Sequence, residues 1–204
     1  MSAVIVPPPR LSPVNAQPPR PKRFTVTEFH RLVSLGLLTG RRPFLLDGVI
    51  WEQEPMNPPH ADGIILVTEV LRAVFGLGWV VRAQLPLQLD EFNDPVPDFA
   101  AVRGGLRDHL GQHPKTADLV VEVADTTFDF DTTEKAERYA TAKILDYWVL
   151  DLTGRRLLVL RDPAPLPSGL GATAYQTQLT LGPADTVAPL AAPTATVRVG
   201  DMLP

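Results

Sequence analysis

The stretch DLVVEVADTTFDFDTTEKAERYA, residues 118–140, opens as a β-branched apolar strand and places a carboxylate, Glu122, in its middle. Leu119, Val120 and Val121 followed by Val123 and Ala124 read as a central strand covered on both faces, because no polar alternation marks a solvent side. An unpaired carboxylate in such a strand costs several kcal/mol. Three things can offset that cost: a salt-bridge partner, a shifted pKa or a metal ion. Downstream, Asp131 with Glu134 three positions on has the grammar of a helix start, predicting a helix that runs to about Ile144. Ala136, Tyr139, Ala140 and Ile144 form its buried stripe, with Lys135 at the edge, from which a long side chain reaches the neighbouring strand.

A second acid stands in a comparable place. In PVPDFAAVR, residues 95–103, Asp98 begins a short apolar strand directly after Pro97. Asp98 and Glu122 are 24 positions apart, which permits a strand, a loop and an adjacent strand that bring both acids to one edge of a sheet. Hard cations such as magnesium take a few such oxygens and keep waters for their remaining positions. An acid after proline is also a common turn residue, and a strand glutamate a common ion-pair partner, so spacing leaves both readings open. Lys135 has the same two readings: a structural bridge to Glu122, or a cation that orients water and stabilises charge on a phosphate. His60, after a Pro-rich turn, reads first as a helix-start residue, Asp131 as a helix cap, and Tyr147 and Trp148 as core or interface residues, although aromatic rings also stack on bases.

The rest of the chain frames these residues. Residues 1–21 hold seven of the 22 prolines and no apolar period, predicting an extended arm. Thr25 and Glu28 form a capping-box pattern ahead of Phe29, Leu32, Val33 and Leu37, so a short amphipathic helix is expected to end near Gly36 or Gly40. Asp47-Gly48 between two apolar segments predicts a β-hairpin over 44–53, and the spacing of Ile64, Ile65, Val67, Leu71 and Val74 predicts a helix over 60–75. Strands are expected over 79–89, 97–102, 147–150 and 156–160, and short strands over 175–181 and 194–199 in a β-rich C-terminal extension, residues 163–204. Strands and helices mix without regular βαβ alternation, so the fold class is α/β or α+β with a mixed sheet, and no Gly-rich phosphate loop is present.

At 204 residues and 45% hydrophobic content, the default is one domain with a substantial core. The absence of cysteine excludes disulfides and thiolate zinc sites, which makes a reducing cytoplasm the simplest compartment. No apolar run reaches membrane-spanning length. The net charge of -4 argues against a globally basic nucleic-acid-binding surface, yet residues 1–43 carry seven basic residues against one acid, Glu28. That segment is +6 and the remainder -10. A basic arm reaching a polyanion beside a cation-collecting cleft fits this asymmetry, and so does a solubilising terminus.

The series Phe44-Leu45-Leu46-Asp47-Gly48, Pro58 with His60, Pro97-Asp98-Phe99-Ala100, Leu119-Val120-Val121-Glu122-Val123, Asp131-Thr132-Thr133-Glu134-Lys135 with Tyr139, and Asp146-Tyr147-Trp148-Val149-Leu150-Asp151 resembles, in order, the Uma-two family of restriction-endonuclease-like proteins over residues 24–161. The resemblance extends to the PD-(D/E)XK nuclease superfamily. It implies a restriction-endonuclease-like mixed sheet flanked by helices over residues 22–162, and a metal-dependent DNA endonuclease that hydrolyses phosphodiester bonds. Asp98 and Glu122 would be the ligands of magnesium, or of manganese, with Lys135 as the third catalytic residue. Two departures stand out. Ala124 occupies the superfamily's usual lysine slot, so Lys135 would act from the following helix, and Phe44 stands where family members tend to carry a glutamate, with Glu52 or Glu54 as substitutes. Competing readings are a catalytically decayed module that binds nucleic acid or forms a homodimer, and a structural protein in which the three charged residues form a buried ion-pair network.

Overall fold

The computed structural model describes residues 19–39, 42–167 and 172–204; most of the expected N-terminal arm lies outside the described residues. The centre is a six-stranded sheet of β3 (Trp79–Ala83), β4 (Phe99–Arg103), β5 (Leu119–Ala124), β6 (Asp146–Asp151), β7 (Arg156–Pro165) and β8 (Thr173–Leu181), in that spatial order. Neighbours pair antiparallel except β5 and β6, which run parallel. A parallel pair needs a crossover, and helix α3 supplies it. This helix begins as an α-helical turn at Phe128–Phe130, widens to a π turn at Asp131–Lys135 and returns to α-helix at Ala136–Thr141. Every residue of β5 and β6 is buried, as the unbroken apolar reading requires.

The two faces divide by the period of the strand. Phe99, Ala101, Leu119, Val121, Val123, Trp148 and Leu150 pack on one face under helix α2 (Pro58–Val74) through Val67, Leu71 and Phe75. Ala100, Val102, Val120, Ala124, Tyr147 and Val149 pack on the other with Ala136, Tyr139 and Ile144 of the α3 segment. By the same alternation Glu122 points to the α3 face. Residues 163–204, expected as a β-rich extension, supply the end of β7 and the sixth strand. A small pair, β9 (Thr186–Val187) with β10 (Val197–Arg198), and a closing 3-10 turn follow, sending Val197, Val199 and Met202 into the α2-side core.

The hairpin of β1 (Pro43–Leu46) and β2 (Val49–Glu52) stands apart from the main sheet. Its turn residues Asp47 and Gly48 both have positive φ, 53° and 73°, which matches the strand twist and explains the Asp-Gly pair. Helix α1 (Val26–Ser34) carries the expected capping box: Thr25 Oγ1 accepts from the Glu28 N–H, and the Glu28 carboxylate accepts from the Thr25 N–H.

Several expectations need correction. The apolar contacts of α1 come from Val26 and Phe29 in its first turn, against Leu45 and Ile50, and His30 adds a polar one to Asp94 at 2.7 Å, so Val33 and Leu37 are exposed rather than part of a buried stripe. Helix α2 starts two residues early because Pro58 and Pro59 fill its first turn, where no N–H is required of them. The strand expected over 79–89 stops at Ala83: Gln84 has φ of 52°, and Pro86 cannot extend a ladder. Asp131 does not cap a helix; it sits inside one. Among the described residues, no helix is long and apolar enough to cross a membrane.

Gly63 marks the closest approach of α2 to the sheet. A Cβ there would lie 2.8 Å from Val123 Cγ1, one turn beyond His60. Gly63→Val is expected to lower the unfolding free energy by roughly 1–3 kcal/mol through overpacking. Urea denaturation measures this, and wild-type stability in the variant would contradict the packing described.

Candidate active site

Three short segments deliver the site. The β4–β5 ladder pairs Phe99 with Val121 and Ala100 with Val120. Extending that register one step sets Asp98 opposite Glu122 on the α3 face. The two acids are then stitched by reciprocal bonds: the Asp98 N–H donates to Glu122 Oε2 at 3.2 Å, and the Val123 N–H donates to Asp98 Oδ2 at 2.9 Å. Pro97 before Asp98 biases the chain to extended backbone, and Phe99 anchors the strand in the core.

The α3 segment brings the cation. Lys135 Nζ lies 3.1 Å from Glu122 Oε2 and 2.7 Å from Asp131 Oδ1. The π turn coincides with Thr132 and Thr133, whose hydroxyls donate to the carbonyls of Phe128 at 2.8 Å and Asp129 at 2.6 Å. Such back-bonding loosens regular helix, and π turns recur at functional sites. The Thr127 hydroxyl donates to Asp131 Oδ2 at 2.5 Å and the Tyr147 hydroxyl to the Asp131 carbonyl at 2.7 Å, fixing the turn against β6. The Tyr139 hydroxyl donates to Glu122 Oε1 at 2.9 Å.

Helix α2 contributes the third side. Asn57 caps it by accepting from the His60 N–H at 3.0 Å, and the Asn57 amide donates to Asp125 at 2.5 Å, which ties the helix start to the end of β5. His60 Nε2 then lies 3.2 Å from Asp98 Oδ1. His60 is therefore more than a helix-start residue, and Asp131 belongs to the site, contrary to its reading as a cap. The Asp131/Lys135 spacing of four carried the signal for Asp131, since on a helix it places both on one face.

Glu122 is 2% exposed, Asp98 9%, Asp131 1% and Lys135 8%. Burial pushes the Glu122 carboxyl up to about 8; the neighbouring ammonium opposes this, while the Asp131 and Asp98 charges add to it. Burial works against the Lys135 ammonium, but Glu122 and Asp131 outweigh it and hold its pKa above the ordinary lysine value. Burial also acts to raise Asp98, yet the hydrogen bond and charge of His60, with Lys135 and the Val123 N–H, hold it low. The same bond from Asp98 raises His60 against its partial burial. Burial keeps the Tyr139 phenol protonated and a donor.

Another buried acid on the same sheet provides a contrast. Asp146 accepts from Arg161, the Trp148 indole and the Leu190 N–H, a set that satisfies a structural carboxylate. Glu122 and Asp98 instead line a cavity of about 540 Å³ with Asp131, Lys135 and His60. Among the described residues, no group of three or more His, Asp or Glu side chains is arranged as a metal cage. The donor set does fit magnesium or manganese, which are held by one or two carboxylates with waters and substrate phosphate completing the shell. A cation would also offset the burial that raises Glu122 and the Asp131 and Asp98 charges that add to it.

The chain belongs to the Uma2 family, whose model, described as "Putative restriction endonuclease", matches residues 26–199. The match runs past β8 and β10, beyond the 24–161 segment on which the sequence resemblance rests. Among solved structures the chain is similar to "a putative nuclease belonging to DUF820 from Anabaena variabilis ATCC 29413", at 14% identity and a TM-score of 0.62 over 88% of this chain and 97% of that one. That likeness is one of fold. No curated protein matches the chain.

The charge pattern fixes a sign for stability. Unfolded Glu122 ionises near its ordinary 4.5, but folded Glu122 keeps its proton to about 8, so the metal-free fold loses stability as pH rises through that window. The raised pKa of His60 acts in the same direction above the ordinary histidine value of 6.5. The melting temperature of chelator-treated protein is expected to fall from pH 5 to pH 8, with Glu122→Gln removing most of the slope. Stability that rises over this range would contradict the assignment.

Proposed function

We propose that the protein is a metal-dependent DNA endonuclease that hydrolyses phosphodiester bonds, with Asp98, Glu122 and Lys135 as its catalytic residues. The observation that carries this reading is the β4–β5 register, which sets two buried carboxylates on one face beside Lys135 at the base of an open cavity. Asp98 and Glu122 would hold magnesium, with manganese as a substitute. When bound, the ion supplies a water of lowered pKa and polarises the attacked phosphate.

The remaining work falls to the chain. Lys135, kept protonated, donates to the attacking water or to a non-bridging phosphate oxygen as negative charge builds there. Asp131 positions that ammonium, and Tyr139 orients Glu122. His60 holds Asp98 ionised and, when protonated, gives its proton to the departing 3′ oxygen as the P–O bond breaks; the neutral imidazole then takes up the proton released by the attacking water, which restores it.

A second reading, a decayed site that binds without cutting, is favoured by Phe44. It is buried and packs against Phe130 at 6.5 Å where the family tends to carry an acid, while Glu52 and Glu54 line the same cavity.

Purified protein is expected to nick or cut DNA with magnesium or manganese and not with chelator. Asp98→Asn and Glu122→Gln are expected to abolish cutting, and Lys135→Met to reduce kcat by about 10²–10³-fold. Glu122→Gln is also expected to melt at or above the wild-type temperature without metal. Asp131 still pairs Lys135 in that variant, and the Tyr139 hydroxyl can donate or accept. Absence of metal-dependent cutting and of metal-induced stabilisation, together with a destabilised Glu122→Gln, would favour a structural ion-pair network instead.

A further inference from the structure

The wall of the cavity differs in chemistry from its floor. Trp51, on β2 of the hairpin, is 37% exposed and tilts against Phe130 with ring centroids 4.8 Å apart. The other two tryptophans satisfy their indole N–H groups, Trp79 on Asp118 at 2.7 Å and Trp148 on Asp146 at 2.8 Å. The Trp51 indole N–H donates to no group among the described residues. Phe130 touches Trp51 and also lies 5.8 Å, centroid to Nζ, from Lys135. A flat ligand stacked on Trp51 therefore sits one side chain from the ammonium.

The charge of the cavity narrows what that ligand can be. Six carboxylates are among its lining residues, and Arg42, Lys135 and His60 are the lining groups that can carry positive charge. Duplex DNA is bound largely by Lys and Arg neutralising phosphates on both strands, and the described lining offers only Arg42, Lys135 and His60 for that. Stacking of a base on an aromatic ring requires no such charge. A cavity of about 540 Å³ also has room for one nucleotide, not for two paired strands.

We propose that Trp51, backed by Phe130, is a stacking platform for one unpaired nucleobase next to the attacked phosphate, so that the substrate is single-stranded or locally unpaired DNA. This rests on the nuclease reading for the attacked phosphate, but not for binding. The base lies on the exposed indole face, its edge within reach of the free indole N–H, and the following phosphate is led to the floor, where Lys135 and the acid pair stand.

The test is binding of the full chain to a fluorescein-labelled 12-mer single strand and to the same sequence as a blunt duplex, with calcium in place of magnesium, followed by anisotropy and by intrinsic indole emission. The single strand is expected to bind at least tenfold tighter than the duplex and to quench wild-type emission. Trp51→Leu is expected to weaken single-strand binding about tenfold or more, and Trp51→Phe, which keeps a ring, to stay within about threefold while losing the quenching. Duplex binding as tight as single-strand binding would overturn the inference, as would unquenched wild-type emission, a reading that needs no variant. Magnesium-dependent cutting of duplex but not of single strands would overturn it while leaving the nuclease reading intact. Stacking of single strands with no cutting of any DNA would defeat the nuclease reading and leave the platform standing.

Discussion

The juxtaposition of Asp98 and Glu122 across the β4–β5 ladder is the constraint around which the rest of the site is built. Two carboxylates held within one buried patch repel each other and lose hydration, and the two backbone N–H bonds they receive from the Asp98 and Val123 amides offset only part of that. The neighbouring elements can be understood by what they bring to that patch. The α3 segment brings an ammonium and a phenol, α2 brings an imidazole, and Asp131 keeps the ammonium charged and in place. With all three carboxylates ionised and Lys135 and His60 both protonated, the cluster still carries one excess negative charge. Burial above all, with the Asp131 and Asp98 charges beside it, makes Glu122 hold a proton to about 8.

The fold delivers these groups with little freedom. Because β5 and β6 are parallel, the chain must cross the sheet between them, and the crossover is the segment that carries Asp131, Lys135 and Tyr139. On the opposite face, α2 comes near enough to β5 that only glycine fits at position 63, and Asn57 locks its first turn to Asp125. One end of the sheet thus receives side chains from both covering layers. A structural salt bridge would not require an open cavity above it; Asp146, closed in by Arg161 and two further donors, illustrates the alternative on the adjacent strand.

Much of this is legible in the sequence because burial leaves a compositional trace. The unbroken apolar runs of β5 and β6 identify the central strands, and the charges that interrupt the pattern, Asp98 and Glu122, stand out against them. Asp131 is hidden because an acid three residues before a glutamate has the same spelling whether it caps a helix or lies inside one. The π turn that decides the matter depends on threonine hydroxyls competing for carbonyls, a contest settled by packing. His60 is obscured for a related reason: the residue after a Pro-rich turn starts a helix in either case, and only the tertiary approach of α2 to β4 gives it Asp98. The core role of Val197, Val199 and Met202 leaves little trace, since these apolar residues are few and lie among prolines and short strands.

We propose that the Asp98–Glu122 pair is a cation site whose charge is incomplete without its ion. Calorimetric titration of manganese into chelator-treated protein at pH 7, in two buffers of different ionisation enthalpy, measures both binding and the protons released with it. Binding is expected to release about one proton to the buffer, displaced from Glu122 by the cation, and Glu122→Gln is expected to lose that release. Binding without proton release, or no binding at millimolar manganese, would contradict it.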